Sequence, residues 1–127
     1  MTPLNITLRS ADQGIISIDV AGRISKDGWP PNRDPLVGRL GPEVYTSTIL
    51  MNLRNADYID STGVEWLLWC HSRCEQAGGR LIVHSPNPMT DQLLRMMRMD
   101  LTLHLAGNEK DALELAGEFS NEHAGDH

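Results

Sequence analysis

Tyr58-Ile59-Asp60-Ser61-Thr62-Gly63-Val64-Glu65-Trp66-Leu67-Leu68 is the stretch on which the reading of this chain turns. Upstream, residues 47–53 (STILMNL) form an apolar run of strand length, and downstream the sequence is suited to a long helix. The motif therefore sits where a buried strand gives way to a helix N-terminus. Such an end has unpaired backbone N–H groups and a partial positive charge, so it tolerates an anion well. Ser61 is thus placed as a hydroxyl that could take a phosphate, and a regulatory role is expected. Two capping registers compete. With Thr62 as N-cap, Glu65 completes a capping box; with Asp60 as N-cap, Ile59 and Val64 form a hydrophobic staple. In either register Gly63 lets the backbone approach whatever docks there. Asp-Ser-Thr-Gly can also serve as a helix cap and nothing more.

Working outward, residues 5–10 and 14–21 alternate as strands, joined by a turn at Asp12-Gln13-Gly14. Residues 22–42 are the least regular, with Trp29-Pro30-Pro31 at their centre, and prolines forbid a helix before about Asp34. Asp34-Pro35 then caps a short helix ending near Gly41. The main helix is expected over residues 62–77, stopped by Gly78-Gly79. A buried strand follows at 80–85. A helix over 88–99 is expected to turn Met89, Leu93, Met96 and Met97 inward. A fifth strand covers 101–105, and a last helix over 109–119 buries Ala112, Leu113 and Ala116. Residues 120–127 read as a polar tail.

The net charge of −6 and the absence of any basic block argue against direct nucleic-acid binding. No apolar run approaches the roughly 20 residues a membrane span needs. Met1-Thr2-Pro3-Leu4-Asn5 has no basic or apolar leader character, so a cytoplasmic protein is expected. Cys70 and Cys74 lie one turn apart with His71 between them, and are read as packing thiols; no metal site and no cofactor is expected. His84 and His104 are read as ordinary strand residues. Neither a Gly-x-Ser-x-Gly elbow nor a phosphate loop is present, so catalysis is not expected. On the main helix the Leu67, Leu68 and Cys74 side is expected inward. Trp66 or Trp69 is then left partly exposed beside Ser61, as a partner contact.

A strand ending in Asn52-Leu53, a short loop, Tyr58-Ile59-Asp60-Ser61-Thr62-Gly63-Val64, a helix, Gly78-Gly79 and then Arg80-Leu81-Ile82-Val83 resembles the STAS domains of bacterial anti-sigma factor antagonists. The resemblance continues through Pro88 and Leu93-Leu94 and covers about two thirds of the chain. It implies one α/β domain over residues 1–119 with a mixed sheet of about five strands, an opening hairpin followed by parallel βα units, and about four helices. It also implies a non-catalytic module that captures an anti-sigma factor serine kinase and is switched off when that kinase phosphorylates Ser61. A serine phosphatase would reverse the modification. Asp60, Ser61, Thr62, Gly63, Glu65, Trp66 and Ser25 would form the partner face. The alternative is a non-switching STAS scaffold within a lipid-transport or signalling complex. Three positions depart from the family pattern. Ser25 stands where an acidic residue is usual, Trp29-Pro30-Pro31 is inserted, and Arg98-Met99-Asp100 replaces a glycine near the end of the third helix.

Overall fold

A computed structural model describes residues 3–26 and 34–125, with side chains through residue 118; Trp29-Pro30-Pro31 lies outside the described residues. The chain opens with a hairpin, β1 (Asn5–Asp12) and β2 (Ile15–Ile24). Gln13 and Gly14 both have positive φ, as a two-residue turn matched to strand twist requires. After α1 (Pro35–Leu40), capped by the Asp34 carboxylate, come β3 (Thr48–Asn52), β4 (Ala56–Ile59) and α2 (Ser61–Ala77). The order then runs β5 (Arg80–His84), α3 (Pro88–Met96), β6 (His104–Ala106) and α4 (Glu109–Gly125). The sheet order is β1-β2-β3-β5-β6, with β4 paired to β2 off that path. Among the described residues only the β1–β2 pairing is antiparallel. The helix alternating with strands after residue 48 accounts for that, because parallel neighbours need a crossover.

Strands buried on both faces read as apolar runs rather than alternations, and β3 and β5 do so. Ile49, Met51, Leu81 and Val83 join the larger core beneath α1, α2 and α3, whereas Leu50 and Ile82 pack with Ala112 and Ala116 of α4. Cys70 and Cys74 are buried free thiols. Burial pushes Cys74 up to about 12 and Cys70 well above its ordinary value, so both remain protonated packing groups.

Among the described residues there are six strands, one more than expected. β4 escapes a sequence reading because it has four residues, and its neighbour is the second half of a strand some thirty residues earlier. The expected α3 stripe is also in the wrong register. Thr90 and Leu94 are buried and Leu93 and Met97 partly so, while Met89 is 81% and Met96 72% exposed. On α4, Leu113 faces outward and Leu115 takes its place against the core. That helix continues past Phe119 to Gly125, and the fifth expected strand begins later, at His104, after a turn of 3-10 helix at Met99–Leu101.

The missing glycine near α3 has a structural counterpart. Arg98 adopts φ 61° and ψ 27°, the left-handed conformation that glycine accepts without strain. An L-residue there costs roughly 1–2 kcal/mol, offset in part by its lower backbone entropy when unfolded. Arg98→Gly is therefore expected to stabilise the fold by about 1 kcal/mol, read from urea unfolding midpoints. A loss of stability would show that the Arg98 side chain, not its backbone, matters here.

Candidate functional site

β2 changes partner along its length. Ile15 to Asp19 pair with β3, and Gly22 to Ile24 pair with β4. The Asn52 side chain bonds Asp19 at 3.0 Å where β3 ends, and the Gly22 amide donates to the Asn55 carbonyl where β4 takes over. Ile24 lies opposite Ile59, so the next residues on the two strands, Ser25 and Asp60, come out side by side. The unforeseen strand β4 is what assembles the site.

Asp60 is the N-cap of α2, and its Oδ1 accepts from the Gly63 amide at 3.0 Å. This settles the register in favour of Asp60, with Ile59 and Val64 in the same core cluster as the staple geometry requires. Ser25 is buried and donates its hydroxyl to Asp60 Oδ2 at 2.8 Å. Thr62 Oγ1 donates to Asp60 Oδ1 at 2.6 Å and accepts the Lys26 amide at 2.9 Å. Partial burial alone would raise the Asp60 carboxyl. The Thr62 and Ser25 hydroxyls and the Gly63 and Thr62 amides outweigh it and hold the group below the ordinary carboxylate value. Asp60 is therefore ionised at neutral pH.

Gly63 does a different job from the one expected. A methyl group there would be driven into the Ile24 carbonyl and would lie 2.9 Å from Ile59 Cγ1. The absent side chain admits the protein's own strand β2, not a docking partner. This close approach brings the Ser25 end of β2 against the first turn of α2.

Ser61, the first residue of α2, is exposed, and no described residue hydrogen-bonds its side chain. Its three neighbours are tied down; Ser61 is presented. Glu65, also exposed, follows one helical turn later on the same face. Trp66 does not reach this surface: it is 5% exposed and belongs to the core. Trp69 is the exposed indole of the pair, edge-on to Tyr45 at 6.1 Å, with Arg73 over both rings. Next to the site, Asp57, Tyr58, Ile59, Met89, Thr90 and Leu93 line a cleft of about 220 Å³. Of the methionines expected in the core, only Met89 lines this cleft.

Among the described residues no helix is long and apolar enough to cross a membrane. The family model described as STAS domain matches residues 10–112. No curated protein matches the chain. Among solved structures, a candidate anti-sigma factor antagonist from Thermotoga maritima aligns with a TM-score of 0.67 at 15% identity, over 89% of this chain and 92% of that one. The unphosphorylated anti-sigma factor antagonist SpoIIAA aligns at 0.61 and 18% identity, over 88% and 97%. The phosphorylated form of SpoIIAA, a Bacillus cell fate determinant, aligns at 0.61 and 17% identity, over 88% and 99%. These likenesses show the fold.

Proposed function

The chain belongs to the STAS domain family, and on that footing we propose that it is an anti-sigma factor antagonist, a non-catalytic cytoplasmic module that captures an anti-sigma factor serine kinase and releases it once Ser61 is phosphorylated. The observation that carries this is the presentation of Ser61: an exposed hydroxyl on a helix N-terminus whose neighbours Asp60, Thr62 and Ser25 are locked in hydrogen bonds. Phosphate there would bring about −1.5 to −2 of charge beside ionised Asp60 and one turn from Glu65. The fold tolerates this charge at a helix N-terminus. A partner surface closed over the loop does not, because it would have to bury an unpaired dianion. The exposed Ser61 and Glu65 and the neighbouring cleft at Tyr58 and Met89 form the contact face; Trp66 contributes only through the core. A serine phosphatase returns the protein to its binding form.

Ser25 favours the second reading, a non-switching scaffold within a lipid-transport or signalling complex. A serine bonded to Asp60 stands where an acid that aids the kinase is usual. Incubation with an anti-sigma factor serine kinase of the host and ATP, followed by mapping of phosphate by mass, separates the two. Phosphate is expected on Ser61, absent from Ser61→Ala, and not on Thr62, whose hydroxyl is engaged on both sides. An unmodified Ser61 with stable capture of a transport subunit would establish the scaffold instead.

A further inference from the structure

Far from Ser61 along α2, one imidazole and one carboxylate meet a second imidazole from another element. His71 and Glu75 are one helical turn apart on α2, and His104 opens β6, the edge strand of the sheet. One ligand atom from each lies within 4.8 Å of the others. The two imidazole rings stand 5.5 Å apart, and His104 Nε2 is 3.9 Å from Glu75 Oε1. We propose that His71, Glu75 and His104 form a binding site for a divalent transition metal of the Zn²⁺ class.

Tetrahedral Zn²⁺ with ligands at about 2.0–2.1 Å separates its donor atoms by about 3.3 Å. The triangle therefore has to contract by roughly 1.5 Å at most, within reach of side-chain rotation. Two nitrogens and one oxygen leave the fourth position open, and imidazole suits Zn²⁺, Cu²⁺ and Ni²⁺. The Glu75 and His104 side chains are 41% and 32% exposed, so an ion can reach them from solvent. The other carboxylate oxygen, Glu75 Oε2, is held by Arg80 at 3.2 Å. That contact leaves Oε1 for the metal and fixes its direction, as outer partners of metal ligands do. His71 Nδ1 is shielded from solvent with no hydrogen-bond partner among the described residues. Buried polar atoms in that condition need an explanation. Cys74 is fully buried in the core and is not part of this triangle. A metal here would clip the three-residue edge strand β6 to α2.

The test is titration of the whole chain with Zn²⁺ by calorimetry, and with Co²⁺ by absorption spectroscopy. One Zn²⁺ per chain is expected, with tetrahedral Co²⁺ bands and no thiolate charge-transfer absorption. At about 100 times Kd, Zn²⁺ should raise the melting midpoint by roughly 10 °C over the chain in EDTA. His71→Gln and His104→Gln should each weaken binding about tenfold or more, and His123→Gln should not. If His71→Gln fails to fold, His104→Gln on the partly exposed edge decides alone. The site is overturned by absence of one-to-one binding, by binding that survives His71→Gln with His104→Gln, by loss in His123→Gln, or by thiolate bands from Cys70 or Cys74.

Discussion

Ser61→Asp is expected, under the proposed function, to weaken binding of an anti-sigma factor kinase by about 100-fold or more, with little change in the stability of the free protein. The two halves of that expectation have separate causes. In the free chain Ser61 is exposed at the first position of α2 and is bonded to no described side chain, so nothing in the fold is lost. A negative charge in the first helical turn gains about 0.3–1 kcal/mol from the helix dipole, and ionised Asp60 and nearby Glu65 oppose it. In a complex the same carboxylate is desolvated without a counter-charge. Leaving one charge of an interface buried and unpaired costs about 2–5 kcal/mol, and 2.7 kcal/mol is already about 100-fold. Ser61→Ala should bind nearly as wild type, because it removes only a small hydroxyl. Calorimetric titration against the kinase, with melting curves of each free variant, measures both halves. Equal affinity for the Asp and Ala variants would sink the phosphorylation switch and leave Ser61 as a bystander.

Gly63→Ala is expected to destabilise the protein by about 3 kcal/mol or more, the reverse of what helix propensity predicts. In an exposed helix interior, Gly→Ala gains about 0.5–1 kcal/mol. At position 63 the new methyl meets the Ile24 carbonyl, which is held in the β2–β4 ladder and cannot swing aside as a side chain would. Overpacking of this kind typically costs 1–3 kcal/mol, and more where backbone has to move. The same displacement would carry α2 away from β2 and stretch the Ser25–Asp60 hydrogen bond. Urea unfolding of the variant measures the loss; an unchanged or higher midpoint would show that the approach of α2 to Ile24 is looser than the structure has it.

The parts of the molecule that were legible in its sequence are those whose signal is local. β3 and β5 are unbroken apolar runs, α2 has its cap and its Gly78 stop, and Gly78 does adopt φ 90°. Asp34 caps α1 as its position before proline implies. What was not legible depends on partners distant in sequence. β4 is only four residues long, and its strand character comes from lying beside Gly22, Arg23 and Ile24. Trp66 and Trp69 are close on the helical wheel, so spacing could not say which faces in; the 3-10 turn holding Tyr45 draws Trp69 to its edge and leaves Trp66 to the core. The place of Ser61 at the start of α2 was legible because a helix N-terminus announces itself. That Ser25 would lie on Asp60 could not be read, since it follows from the register between β2 and β4. An acid at position 25 would face the Asp60 carboxylate, and like charges that close do not both ionise readily. Serine instead donates a hydrogen bond and keeps Asp60 charged.

Gly63 and Asp60 answer to the fold, whereas no contact among the described residues holds the Ser61 side chain; under the proposed switch it answers to a partner. Descendants of this sequence are therefore under two unequal kinds of selection within four residues. A lineage that abandoned regulation would still be forced to keep the glycine, because Ile24 leaves it no room, and would keep a capping carboxylate for the helix. Position 61 would be free to drift. An intact flanking pattern thus certifies the architecture alone, and if the proposed switch holds, its presence is read from that one exposed residue.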